Sequence, residues 1–367
     1  MIAHSLQHEA IRCAVARLIE PAVRARIASY TARRTLAPET KTVGRDRSRT
    51  AAPAAAAFPF IVGCHRSGTT LLRATLDSHP AVAIPGESHF VSALARVHRR
   101  RRFEIGGELD VGMFLTVLNQ SHHYRDWGLP DGEVLQALMA SPVADVADGL
   151  RRLYGLYARR RHKPRYADKT PAHVLAIPAI ARFFPEARFV HIVRDGRDVA
   201  LSNPAIAEWG PRTLPDAALW WRKRVRAGRR AGRRLGARRY LEIRYEHLVD
   251  DPEPVLRTVY AFLDLEFDER LLDPSDRADE MLASVRYPHQ HERLRQPPTR
   301  GVREWKTEMQ RDDVLLFESL AGDVLTEVGT SADTTRCRAG RESTPPPSRG
   351  RRGCAPRAVV PACSAAR

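Results

Sequence analysis

Apolar positions along the chain fall into short continuous runs separated by segments of helical spacing. Phe58 to Val62 is an apolar run that ends at Gly63, and helical spacing follows from Thr69 to Leu76. Arg188-Phe189-Val190-His191-Ile192-Val193 reads as the clearest buried strand, with a helical segment from Asp198. Tyr240-Leu241-Glu242-Ile243-Arg244 reads as a further strand, with a helix over Glu253–Leu263. Between the first two strands, residues 87–163 have helical spacing, Val143–Tyr157 included. Short apolar strands alternating with helices predict an α/β fold, a three-layer α/β/α sandwich with a central parallel sheet. Such a sheet gathers ligands at the carboxyl ends of its strands.

Outside this body the pattern fades. Residues 5–28 carry Leu6, Ile11, Val15 and Leu18 at roughly helical spacing, interrupted by Pro21 and studded with Arg12, Arg17, Arg24 and Arg26. They fit a basic helix making weak contact with a membrane surface, and equally a surface helix packed on the body. Residues 29–57 read as a linker, and 331–367, with Pro345-Pro346-Pro347 and scattered Arg, Gly and Ser, as a disordered basic tail. The expected organisation is a helix and linker over 1–57, a domain over 58–330 with a helical insert at 88–163, and a tail over 331–367.

Charge changes this picture little. The chain of 367 residues has a net charge of +17. Residues 1–57 hold 10 basic and 4 acidic side chains and residues 331–367 hold 8 and 2, which leaves the body only mildly basic. The surplus therefore gives no reason to expect a nucleic-acid partner for the folded part. Five cysteines, Cys13, Cys64, Cys337, Cys354 and Cys363, share no CxxC or Cys/His spacing, so neither a zinc site nor a disulfide framework is expected. No run of 18 apolar residues is present, and the N-terminus lacks the pattern of a secretory signal. The expectation is a soluble protein of a reducing, cytoplasmic compartment.

The loop after the first strand, Gly63-Cys64-His65-Arg66-Ser67-Gly68-Thr69-Thr70-Leu71-Leu72, has the makings of a phosphate cradle. A strand, a Gly-x4-Gly turn, hydroxyl residues and a helix N-terminus present backbone N–H groups and a favourable dipole to an anion. Nucleoside-triphosphate loops place a lysine after the second glycine; here Thr69 occupies that position, and the cation of the loop, Arg66, lies before it. The loop is thus expected to hold phosphate but not ATP.

His65-Arg66-Ser67-Gly68-Thr69-Thr70-Leu71 resembles the 5′-phosphosulfate loop of sulfotransferases that use 3′-phosphoadenosine 5′-phosphosulfate (PAPS), in the arginine form of the tyrosylprotein and bacterial carbohydrate branch. Val193-Arg194-Asp195-Gly196-Arg197-Asp198-Val199-Ala200-Leu201-Ser202 resembles the 3′-phosphate motif of the same family, and Arg194 and Ser202 match its two ligands. The resemblance spans roughly residues 58–310. It implies the P-loop-like sulfotransferase fold, PAPS as donor, no metal, and Arg66, Ser67, Gly68, Thr69 and Thr70 around the 5′-phosphosulfate. It further implies Tyr245, in Arg244-Tyr245-Glu246-His247-Leu248, on the adenine side, and Arg300 and Lys306, in Thr299–Lys306, on a segment closing over the nucleotide.

Sulfuryl transfer needs in-line positioning, cations at the departing phosphate and a base for the acceptor proton. By the resemblance, the catalytic groups are Glu87 as base, 21 residues after Arg66, Lys169 near the bridging oxygen, 25 residues before Arg194, and Arg66 itself. His173 and His89 stand in reserve as bases, and His173 otherwise reads as a helix-surface residue. Glu87 also reads as a helix-start residue. Trp220-Trp221 with the arginines from Arg222 to Arg234, Arg224 among them, reads as a helix with an apolar foot and a solvated basic face. Arg99–Arg102 reads likewise as solvated. Two other functions stay open: a P-loop kinase using ATP and Mg²⁺, with Asp195 or Asp168 holding the metal, and a non-catalytic basic binder of nucleic acid or membrane surface. The acceptor class (glycan, lipid, small molecule or protein tyrosine) is not set by these motifs, although Trp209 is placed to stack on a ring.

Overall fold

Strand β1, Phe58–Gly63, is buried along its whole length and divides its side chains between two cores. Phe58, Phe60 and Val62 enter one apolar cluster while Ile61 enters another on the opposite face, the two-residue alternation of a strand buried on both sides. The structure, a computed structural model, describes residues 56–97, 103–105, 108–203, 208–272, 295 and 304–330. The expected helix at 5–28, the linker to residue 55, Arg99–Arg102, Arg300 and the tail at 331–367 lie outside the described residues.

From β1 the chain enters helix α1 (Thr69–Ser78) and then the mainly helical insert, with α2 (His89–Val97), α3 (Val111–Asn119), α4 (Asp131–Met139) and α5 (Val146–Arg160). Strand β2 (Asp168–Lys169) and a 3-10 turn (Pro171–Leu175) precede α6 (Ile177–Phe183) and strand β3 (Ala187–Val193). Helices α7 (Gly196–Leu201) and α8 (Leu214–Leu235), strand β4 (Tyr240–Arg244), α9 (Pro252–Phe262) and α10 (Arg311–Glu327) complete the body. Two short pairings interrupt the expected helical stretch or border it, Glu104–Ile105 with Glu108–Leu109 and Val82–Ala83 with Arg165–Tyr166.

The central sheet has the order β2-β1-β3-β4, and every neighbouring pair is parallel. Phe60 faces Asp168, Gly63 faces Ile192 and Val193 faces Arg244. That register aligns the carboxyl ends of all four strands on one edge. Leu72 and Leu76 of α1, one helical turn apart, pack with Leu256, Val259 and Tyr260 of α9 against Ile61, Val190 and Ile192 on one face. The insert helices cover the other face through Phe114, Leu138, Leu150 and Tyr154, which join Phe58, Phe60 and Phe189. The three-layer sandwich predicted from the pattern is the observed architecture.

Helix α8 corrects one sequence expectation. Thr213 caps its start by accepting from the Asp216 N–H at 3.3 Å, and Gly236, at φ 74°, ends it. Its buried stripe runs through Ala217, Trp221, Arg224, Val225, Gly228 and Ala231. Arg224 is therefore on the inward face, 7% exposed, rather than on the solvated one. Spacing explains why: it lies three residues after Trp221 and four before Gly228, both buried.

Candidate active site

Arg66 and Gly68 both adopt left-handed backbone conformations, with φ 70° and 88°, and this turns the chain from β1 into α1. A Cβ on Gly68 would lie 2.3 Å from the Tyr245 ring, so close approach as well as conformation demands glycine there. The first turn of α1 has neither a side-chain cap nor an acidic residue. Thr69 and Thr70 open that turn, and the Ser67 hydroxyl is fully buried without a hydrogen-bond partner. A helix N-terminus with uncapped N–H groups and a buried unsatisfied hydroxyl fits an anion supplied from outside the chain.

Arg194 stands at the end of β3, adjacent to this loop. Its guanidinium donates to the Arg66 carbonyl at 3.3 Å and lies 4.5 Å from the centre of the Tyr245 ring. The Trp221 indole N–H donates to the Arg194 carbonyl at 3.0 Å and fixes the backbone from behind. Ser202 follows the last turn of α7 and is 7% exposed. Asp198 lies 3.8 Å from Arg194 and accepts the Trp305 N–H at 2.8 Å. Burial pushes the Asp198 carboxyl up to about 6, although the Trp305 N–H and Arg194 both work against that rise. Lys306 is exposed on the short helix Trp305–Glu308, with no described contact to Arg194 or the loop.

Glu87 and Lys169 meet at the other end of the loop. Lys169 Nζ donates to Glu87 Oε1 at 2.7 Å, and His89 Nε2 donates to Oε2 at 3.0 Å. Lys169 is 2% exposed at the end of β2. Burial pushes the Glu87 carboxyl up, but the Lys169 ammonium and the His89 hydrogen bond outweigh it and hold it well below the usual carboxylate range. Burial depresses Lys169, and Glu87 opposes that. His65, beside this pair, is pushed by burial down to about 3 and is neutral at pH 7.

The segment that carries Glu87 is tied down from three sides. Arg73 of α1 donates to the Ile84 carbonyl and Asp77 accepts the Ile84 N–H, both at 2.8 Å. The Trp127 indole donates to the Gly86 carbonyl at 3.0 Å, and the Ser88 N–H donates to Thr170 Oγ1 at 2.8 Å. Beneath it, fully buried Asp168 accepts from the Ser88 hydroxyl, from the Tyr154 hydroxyl at 2.7 Å and from His173 Nδ1 at 3.0 Å. Burial raises the Asp168 carboxyl, but His173 and these hydrogen bonds pull it below its ordinary value.

His173, read from sequence as a surface residue or a reserve base, is fully buried and committed to Asp168. The 3-10 turn that starts at Pro171 directs it inward. Asp168 and Asp195, the acidic residues a kinase would need for Mg²⁺, are likewise engaged. Asp168 is enclosed in its hydroxyl network, and Asp195 takes the Arg197 guanidinium through both oxygens at 3.1 and 2.8 Å. Sequence reasoning missed Arg73, Tyr154, Trp127 and Arg224. Arg73 carried one signal, an arginine one position after Leu72 on the helix that follows the loop.

The fold is α/β, and one edge of its parallel sheet carries two separate groups of cationic and hydroxyl side chains, Arg66 with Ser67, Thr69 and Thr70 on the loop and Arg194 with Ser202 beyond β3. A profile described as the sulfotransferase family matches residues 60–269, and the chain belongs to that family. It is similar to protein-tyrosine sulfotransferase 2 of Gallus gallus, 26% identical over 58% of this chain and 52% of that protein. It is also similar to protein-tyrosine sulfotransferase A of Caenorhabditis elegans, 25% identical over 59% of this chain and 52% of that protein. The chain thus spans about half the length of these curated relatives. Among solved structures, it is similar to the sulfotransferase domain of the Synechococcus PCC 7002 olefin synthase, with 24% identity, 77% of this chain and 98% of that one covered, and a TM-score of 0.44. Among the described residues no helix is long and apolar enough to cross a membrane.

Proposed function

We propose that the chain transfers a sulfuryl group from PAPS to a hydroxyl or amine acceptor and releases 3′,5′-ADP. One observation carries this reading: the register of a single parallel sheet gathers the phosphate loop, Lys169 with Glu87, Arg194, and Tyr245 on one edge. PAPS supplies an activated S–O bond whose cleavage leaves a phosphate. Arg66, Ser67, Gly68, Thr69 and Thr70 would hold the 5′ side, Arg194 and Ser202 the 3′-phosphate, and Tyr245 the adenine side. Arg300 and Lys306 complete the proposed cofactor ligands, with Arg300 outside the described residues and Lys306 the weaker member because it is exposed.

Within this reading Glu87 has two tasks. In the resting state its carboxylate neutralises buried Lys169 at 2.7 Å. When the Lys169 ammonium turns to an incoming phosphate oxygen, Glu87 loses its main cationic partner and becomes a stronger base. Glu87 then accepts the acceptor proton as the acceptor oxygen forms its bond to sulfur, and Lys169, with Arg66 and the N-terminus of α1, carries the charge left on the departing phosphate. His89 keeps the carboxylate oriented through its other oxygen.

The reaction is assigned to residues 58–330, with 88–163 as the insert and both tails outside it. The curated relatives are named for protein tyrosine, which makes a phenolic hydroxyl one acceptor class to test beside glycans, lipids and small molecules. A cytoplasmic, reducing setting is part of this proposal, resting on the cysteine spacing together with the apolar pattern of the chain, and no nucleic-acid partner is proposed.

The decisive experiment is thermal stability of the full chain with 3′,5′-ADP, PAPS or ATP, each with and without Mg²⁺. A ligand at 100 times its Kd adds about 2.7 kcal/mol. The expected result is stabilisation by 3′,5′-ADP, indifferent to Mg²⁺ and lost in Arg194→Ala. Stabilisation by ATP with Mg²⁺ alone would instead favour a kinase, and no effect of any nucleotide a non-catalytic binder.

A further inference from the structure

Arg224 and Arg197 are both buried arginines, 7% and 1% exposed, yet their surroundings differ. Arg197 is answered by Asp195 at 2.8 Å and Glu318 at 2.6 Å. Arg224 lies over the Trp220 ring, 3.4 Å from its centre, and has no carboxylate within ion-pair distance among the described residues. Nη1 reaches only the Trp220 carbonyl of its own helix, at 3.4 Å, and Nε has no partner. A buried guanidinium without a counter-ion carries an uncompensated desolvation cost.

This guanidinium lines an open cavity of about 560 Å³ between α8 and the 3-10 turn. Leu175, Leu219 and Trp220 give the cavity apolar walls, and Arg212 and Lys223 add two further cations. Asp216, the one acidic side chain among the described residues that line it, accepts from the Thr213 hydroxyl at 2.7 Å as part of the helix cap. Two features connect the cavity to the proposed sulfuryl-transfer site, one along the chain and one through aromatic rings. Leu175 closes the turn that begins just past Lys169 and Thr170. The Trp220 ring is 6.2 Å from the ring of His65, the loop residue before Arg66, and Trp209 covers the same imidazole at 4.9 Å.

We infer that this cavity is the acceptor subsite and that it selects a small acceptor bearing a carboxylate or sulfate on a flat or apolar ring. The anion would pair with Arg224, whose planar fork suits bidentate oxyanions. The ring would lie against Trp220, Leu175 and Leu219, and the acceptor hydroxyl would extend past His65 toward Glu87. A cavity of this volume accommodates one small molecule. The inference rests on the sulfotransferase reading for the words "acceptor subsite"; the anion pocket itself does not.

The test uses the full chain and an isosteric pair of probes, 4-hydroxybenzoate and neutral 4-hydroxybenzamide, titrated calorimetrically with and without 3′,5′-ADP. The expected result is binding of the carboxylate about tenfold or more tighter than the amide, as charge-assisted hydrogen bonds require. In Arg224→Gln that preference disappears while the stabilisation by 3′,5′-ADP remains. Equal binding of the two probes, binding of neither, or a preference that survives Arg224→Gln overturns the inference. Should Arg224→Gln fail to fold, Arg212→Gln combined with Lys223→Gln, both at the cavity's solvent side, must weaken the carboxylate preference, and an unchanged preference overturns the inference. Preference for the carboxylate without any response to 3′,5′-ADP leaves the anion pocket standing and removes the sulfotransferase reading.

Discussion

Glu87, the proposed base, would join stability and chemistry in one carboxylate. Its pair with Lys169 is buried on the lysine side, so removing the negative charge leaves a cation that water does not reach. Glu87→Gln is therefore expected to lower turnover by ~10²–10⁴, the range for loss of a positioned general base, and also to lower the melting temperature. Both changes are read in one preparation, by single-turnover sulfate transfer and by thermal melting; activity within twofold of wild type would remove Glu87 from the base role. Asp198 behaves oppositely. With its carboxyl raised to about 6 from an ordinary 3.8, its ionisation opposes folding. The contribution is favourable below the unfolded value and is lost as pH rises through 6. Asp198→Asn keeps an acceptor for the Trp305 N–H and should add ~1–3 kcal/mol at pH 8. The gain should vanish near pH 3, below the ordinary 3.8, where both states hold the proton. Urea denaturation at the two pH values checks this, and a gain independent of pH would assign the effect to packing.

At the scale of elements, the strands and the loops at their ends were legible because buried parallel strands write themselves as unbroken apolar runs. Phe58–Gly63 and Arg188–Val193 appear almost unchanged in the structure. The phosphate loop and Arg194 were legible too, since they are local in sequence. What stayed hidden needed contacts between distant segments: Asp168 with Tyr154, Trp127 with Gly86, and Arg224 turned inward against Trp220. Composition misled at α8, where arginines on several faces of one helix masked the single one in its buried stripe. The loop itself makes a sharp prediction. Gly68→Ala must hold a left-handed backbone, which costs a non-glycine residue roughly 1–2 kcal/mol, and must displace the Tyr245 ring as well. Affinity for 3′,5′-ADP should fall at least tenfold, roughly 1.4 kcal/mol, in isothermal titration. Unchanged affinity would mean that Tyr245 and the loop do not share the nucleotide.

At the scale of the whole molecule, most of the net positive charge and the candidate chemistry occupy different parts of the chain. Residues 331–367 hold 8 basic side chains and 2 acidic ones, and none of the proposed site residues. Deleting them should leave 3′,5′-ADP affinity and its stabilisation of the body within twofold of the full chain, and should flatten any salt-dependent binding to polyanions such as heparin. A large loss of nucleotide affinity on deletion would bring the tail into the site.

The order of the central sheet also governs how the protein is made. Strand β1 sits between β2 and β3, and its longer pairing, Phe60 with Phe189, joins residues 129 positions apart. A ribosome adding ~5–20 residues per second delivers that partner roughly 6 to 26 s after β1 itself. During this interval Phe58, Phe60 and Ile61 belong to a nascent strand whose long partner has yet to emerge. Synthesis, rather than the finished fold, is then the stage at which this chain is most exposed to aggregation, and holdase chaperones or slower translation should raise its soluble yield without altering the mature molecule.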